Sequence, residues 1–323
     1  MKNWALLVAG TREWHNYRHQ ANVCHAYQIL HRNCIPDEQI VVMMFDDIAD
    51  NVENKYDGVI INHPDGTNLY KGVPKDYTGL DVTPTNFLNI LQGKKSEMAC
   101  IGSGKVIDSG PEDNVFVYYT GDGESGSISF PYQEWLKKSE LNEALTYMHK
   151  AMKYAKMLFY LDADFGDSMF ANLSSSINVF ATAPTVRQYA FYYNSTLHAY
   201  LGTLYGVSWM EDSDTNDLGQ ETLDHQFDIM RKRMYNRRAK KFRTEKFGDE
   251  KMGHLKVGDF QGHAGKSLPC VVSTDHEVMP SHEIPMAILY RKLSKATSVE
   301  QSEGIQEEIQ KKFAAMKQNA KSN

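Results

Sequence analysis

A chain of 323 residues with a net charge of −6 can bury a large core but has no surplus of positive charge with which to hold nucleic acid or an anionic membrane surface. Its 41% hydrophobic and 24% charged content is that of an ordinary globular protein, and no apolar run is long enough to span a bilayer. Four cysteines, Cys24, Cys34, Cys100 and Cys270, are too few and too scattered for a disulfide framework or a zinc site.

In chain order, WALLVAG predicts a strand, HQANVCHAYQILHRN a helix and QIVVMMF a second strand, a compact βαβ start. Cys24 falls on the apolar face of that helix and reads as a buried structural thiol. The opening MKNWALLVAG is too short for a signal peptide's apolar core and lacks a cleavage site, so the chain, if complete, is expected in the cytoplasm. A turn-rich insert runs from Asp46 to Gly79. In TPTNFLNILQG, Thr83 can cap a helix, Pro84 fits its first turn and Gly93 follows its end. A strand at Val115, the helix SELNEALTYMHKAMKY, a strand at Met157 and the strand NVFATA complete the pattern. Alternating strands and helices imply an α/β fold, a mostly parallel central sheet flanked by helices on both faces. Beyond about Ser208 the chain becomes helical and charged, and the basic run Arg231 to Arg243 is expected on the solvated face of a helix. The boundaries are set at 1–265 for the main domain, 266–297 for a linker and 298–323 for a final amphipathic helix.

Two segments share one shape: VFVYYTGDGESGSISFP and KMLFYLDADFGDSMF are apolar strands that run into polar tips, where α/β proteins place their chemistry. Asp122 and Asp164 stand at these tips. The plain reading makes them exposed loop carboxylates. A sharper one has them share a proton across a cleft, and a third has Asp162, Asp164 and Asp167 bind a hard cation. His19, His25 and His31 are spaced six apart and do not stack on one helical face, so neither a metal site nor a cofactor is expected. Asn172-Leu-Ser174 and Asn194-Ser195-Thr196 match the glycosylation acceptor pattern, which matters only in the secretory pathway.

The segments AGTREWHNYRHQANVCHAYQILHRNCIPDEQIVVMMFDDIA, GVPKDYTGLDVTPTNFL, GSGKVIDSGPEDNVFVYYT, YLG, WMEDSD and KVGDFQG resemble, over nearly the whole chain, the asparaginyl endopeptidases of the legumain family, cysteine peptidases (C13) with a caspase-like fold. The related catalytic subunit of the GPI transamidase lacks VPKDYTG and WMEDSD and is the weaker match. The resemblance implies a lysosomal or secretory setting and makes the final helix a remnant of the family's activation peptide.

It also implies where catalysis should sit. Family members carry a His in Asp-His-Gly and a Cys in Glu-Ala-Cys; here those motifs read Gly121-Asp122-Gly123 and Asp162-Ala163-Asp164. Asn16, which orients the catalytic His in the family, is kept, as is the basic pair Arg18 and His19 of the specificity pocket. The pocket acid before Ala-Cys is Asp162, the second acid is replaced by Thr203, and the pocket's serine pair has no counterpart in TAPTVRQYAFYY. Thiolate chemistry is therefore expected to be lost and the asparagine pocket degenerate. The expected protein is an inactive relative that holds peptides or protease-inhibitor-like proteins in the old cleft. The alternatives are an active hydrolase of the family cleaving after Asn, and an interaction protein.

Overall fold

The structure, a computed structural model, describes residues 1–234, 239–243, 246–247, 250–263 and 277–319. Cys270, the middle of the basic run and the first part of the expected linker lie outside the described residues.

β1 (Asn3–Ala9) leads into α1 (Tyr17–Arg32), and β2 (Ile40–Met43) returns parallel to β1. An irregular stretch then carries α2 (Pro84–Leu91) and the short α3 (Lys95–Met98). The sequence signals at α2 hold: the Thr83 side chain accepts from the Asn86 N–H at 3.1 Å, and Gly93 takes the positive φ of 68° that ends the helix. β3 (Asn114–Thr120) follows. A small sheet of β4 (Gly123–Glu124), β5 (Ser127–Phe130) and β6 (Glu134–Lys137) projects beyond its tip, and α4 (Lys138–Lys150) returns to β7 (Lys156–Asp162) and then β8 (Val179–Pro184). β9 (Tyr189–Asn194) and β10 (Ala199–Thr203) form a hairpin, succeeded by α5 (Leu204–Thr215), α6 (Leu223–Arg233), β11 (Ala239–Arg243), the pair β12 (Lys246–Phe247) and β13 (Glu250–Lys251), and α7 (Gly258–Gln261). β14 (Val278–Pro280), α8 (Ile284–Ser294) and α9 (Val299–Asn319) end the chain.

The central sheet has the order β11-β8-β7-β3-β1-β2, parallel except for β11. Its strands alternate between two cores. Ala5, Leu7 and Ala9 of β1 join α1, α5 and α6 on one face, while Trp4, Leu6 and Val8 join α2 and α4 on the other. This double burial is why the strands read as continuous apolar runs. The expected α/β sheet, mostly parallel and covered by helices on both faces, is what the chain forms.

Two expectations need correction. The basic run is not one helical face: α6 stops at Arg233, and Ala239–Arg243 is an antiparallel edge strand on β8. Lysines suit an exposed sheet edge, and here Lys240 pairs with Asp167 at 2.9 Å while Lys241 pairs with Asp224 at 2.5 Å. Nor are residues 278–294 a linker. β14 pairs with β9, and Ile284 and Ile288 of α8 are buried against Ala190 and Tyr200. The run IPMAIL held the apolar signal, outweighed in the sequence by the polar stretch preceding it.

Candidate active site

Parallel strands deliver their C-terminal tips to one edge of the sheet. Thr120 and Asp162 are partners in the β3–β7 ladder, so Asp122 and Asp164 each stand two residues past the same rung. The Gly121 N–H donates to the Asp162 carbonyl at 3.0 Å, and the Gly123 backbone lies so close to Asp164 that a Cβ there would meet its carbonyl oxygen at 2.5 Å. The register alone thus brings the two tips together, as their shared shape in the sequence suggests.

The two carboxylates differ in setting. Asp122 is half exposed, and its Oδ1 lies 3.6 Å from the guanidinium of Arg18, which is itself almost fully buried. Burial raises the Asp122 pKa and Arg18 lowers it; with half of the side chain open to water, the desolvation is only partial. Asp164 is 9% exposed, which corrects the expectation of an exposed loop residue. Its Oδ1 accepts the Gln188 backbone N–H at 2.5 Å, and Arg187 approaches Oδ2 at 4.0 Å. Burial raises the Asp164 pKa to about 6; the Asp122 charge adds to the rise, while the Gln188 N–H, Arg18 and Arg187 oppose it.

Arg18, His19, Asp162 and Thr203 gather behind these tips, but the space between them is filled. Asp162 is fully buried, and its carboxylate accepts from Thr203 Oγ1 at 2.5 Å, Gln188 Nε2 at 2.8 Å, Thr120 Oγ1 at 3.1 Å and Tyr118 OH at 3.2 Å. Burial raises its pKa and these four donors lower it. Thr203 also caps α5 by accepting the Gly206 N–H at 3.0 Å, so its single hydroxyl serves the carboxylate and the helix together. Burial, then the Arg18 charge, holds His19 well below its ordinary pKa and therefore neutral. Its Nδ1 lies 2.6 Å from Thr11 Oγ1 and its Nε2 3.0 Å from Gln188 Oε1. An amide oxygen can only accept, so Nε2 carries the proton and the Thr11 hydroxyl donates to Nδ1. The network continues from Asp162 through Asn22 and Asn62 to His25 and Asp214.

Asn16 lines the same cleft as Asp122; its amide N–H donates to Arg12 O at 3.0 Å and its Oδ1 accepts from Arg18 at 3.3 Å. Asp162, Asp164 and Asp167 do not converge on a cation site, because Asp167 turns to Lys240 and Asp162 is enclosed by neutral donors. Three participants escaped the sequence reading. Gln188 lay in a stretch noted only for its missing serines, Ser281 lay in the supposed linker, and His15, next to Asn16, lines the open cleft beside Asp122. That cleft encloses about 510 Å³ between Arg12, Glu13, His15, Asp122, Tyr132 and Trp135. Burial, then Lys312 of α9, Arg18 and Arg12, hold the His15 pKa down to about 4.

Residues 3–263 match the Peptidase C13 family. The chain belongs to that family. It is 45% identical over 320 residues to legumain from Homo sapiens, spanning 97% of this chain and 72% of that protein. It is 44% identical over 242 residues to the vacuolar-processing enzyme delta-isozyme of Arabidopsis thaliana, spanning 72% of this chain and 52% of that one. Among solved structures, caspase-1 from Spodoptera frugiperda superposes with a TM-score of 0.41 at 10% identity, covering 76% of this chain and 88% of that chain. Of the two strand-tip carboxylates, Asp122 lines the described cleft, whereas Asp164 is covered by the 187–188 segment; His19 is committed to the Gln188 amide, and no cysteine is among the residues that line the cleft.

Proposed function

We propose that this C13 chain is a legumain-like pseudoenzyme, folded but without peptidase activity, whose open cleft holds peptides or inhibitor-like proteins without cleaving them. The observation that carries the reading is Asp164. A C13 peptidase needs a thiolate at this tip and an imidazole beside it to activate the thiol and protonate the departing amine. The carboxylate of Asp164 is a weak nucleophile toward amides and is already engaged by the Gln188 N–H. Asp122, paired with Arg18, brings a carboxyl group where that chemistry needs an imidazole. Binding is supported by the cleft's charges and aromatic rim, where the Arg12 guanidinium lies 4.4 Å from the ring centre of Tyr132.

A second reading has one observation in its favour. The raised pKa of Asp164 beside Asp122 resembles a carboxylate pair sharing a proton, which would activate water for an acid hydrolase. One experiment addresses both. The purified chain is incubated with asparaginyl and aspartyl peptides from pH 4 to 7.5, with binding followed on the same peptides by fluorescence anisotropy. Saturable binding with no product at any pH is the expected result. Turnover sensitive to a thiol-directed inhibitor, or turnover with an acid optimum lost in Asp164→Asn, would overturn the proposal.

A further inference from the structure

The proposal starts from the side chain of Gln188, which is 1% exposed. A primary carboxamide has two N–H bonds and two carbonyl lone pairs, and here all four are used. Nε2 donates to the Asp162 carbonyl oxygen at 3.0 Å and to Asp162 Oδ1 at 2.8 Å. Oε1 accepts from His19 Nε2 at 3.0 Å and from Ser281 Oγ at 3.1 Å. Donors lie on one side of the pocket and acceptors on the other, at the spacing of a single amide group.

Each wall is held independently. The His19 ring is held at Nδ1 by the Thr11 hydroxyl, and Asp162 is kept in place by Thr203, Thr120 and Tyr118. The fourth partner arrives from the far end of the chain: the Ser281 N–H, at the end of β14, donates to the Gln188 carbonyl at 2.9 Å. Asp164 Oδ1, two residues past the end of β7, takes the Gln188 backbone N–H. One glutamine is therefore tied by backbone and side chain to β7, α1 and the C-terminal segment.

We infer that Gln188 is an internal ligand, and that the pocket formed by His19, Asp162 and Ser281 is a primary-carboxamide site occupied by the chain's own carboxamide. This deepens the reading of the chain as a pseudoenzyme. The site would be shut to a substrate side chain by a group of the same chemistry, with the β14 segment acting as the bolt. Among the described residues, the closure needs no second molecule.

The test is to remove the plug and return it in solution. Gln188→Ala deletes Cγ, Cδ, Oε1 and Nε2, the four heavy atoms of acetamide, and leaves the His19 N–H and the Asp162 oxygens facing a polar void. Acetamide should raise the melting temperature of Gln188→Ala in a saturable way, with half-saturation on the order of millimolar to tens of millimolar for so small a ligand. Acetate should not, because it cannot donate to Asp162, and N,N-dimethylacetamide should not, because it has no N–H. The wild-type protein should respond to none of the three. An equal acetamide response in wild type, or equal responses to acetamide and acetate in the variant, would overturn the inference.

If Gln188→Ala does not fold, Gln188→Glu and Gln188→Met carry the test. A carboxylate at position 188 faces Asp162 and must share a proton with it, with Arg18, His19, Asp164 and Arg187 as its other charged or titratable neighbours. The melting temperature of Gln188→Glu should then fall more steeply with rising pH than that of wild type or Gln188→Met. Parallel curves for all three would refute the carboxamide geometry. Peptide turnover is measured separately on each variant. Cleavage by a variant that binds acetamide would refute the pseudoenzyme reading alone, and absence of both would refute the plug alone.

Discussion

Replacing Asp164 by Asn should make the protein more stable at neutral pH and remove a pH dependence. Burial, with the charge of Asp122, raises the folded-state pKa of Asp164 to about 6, against an ordinary value of about 3.9 in the unfolded chain. The folded state thus binds the proton more tightly than the unfolded one, and stability from this group is fully present below about pH 4 and lost as pH rises through 6. A shift of about two units at about 1.4 kcal/mol each makes the ionised carboxylate costly by roughly 3 kcal/mol at pH 7. Asparagine keeps an oxygen that can accept the Gln188 N–H while carrying no charge to desolvate. For a chain of this length, 3 kcal/mol corresponds to a melting shift of roughly 4 °C. Other groups titrate in the same range: Asp212, also raised to about 6 by burial, acts in the same direction, and His15, held near 4, acts in the opposite one. The decisive quantity is therefore the difference between Asp164→Asn and wild type in thermal melts from pH 4 to 7.5. It should be near zero at pH 4 and grow to a few degrees in the variant's favour by pH 7. A difference that stays constant with pH would show that Asp164 is not the buried, proton-binding group described.

Asp164→Cys alone is expected to restore no peptide cleavage, and the pair with Asp122→His only a trace, because Gln188 would still fill the specificity pocket; near-native kcat/KM in the pair, measured with a fluorogenic asparaginyl peptide, would contradict this. Thr203→Val removes a donor to a buried carboxylate and the cap of α5, and should cost about 2–4 kcal/mol in urea denaturation; a loss under 1 kcal/mol would mean that neither bond carries weight. Ile284→Ala should cost about 2–4 kcal/mol within the cluster that docks α8. Amide exchange should then quicken across 278–294 while β1 and β3 stay protected, and unchanged exchange there would restore the linker description.

The sheet, the caps of α2 and the family were legible in the order of the residues. Strands buried on both faces must be continuously apolar, and the signals that start and stop a helix lie within a few residues of one another. That order also located the two acidic tips, because each follows its own strand. How the polar side chains meet depends instead on packing. Asp164 reads as an exposed loop residue until the 187–188 segment covers it, and α8 reads as linker until β9 and β10 offer it a surface. Gln188 finds His19 169 residues away and Ser281 93 residues away. Hydrogen bonds across such separations leave no period in the chain, since any polar residue brought to that point by the backbone could complete them, and only the packed fold selects which one does.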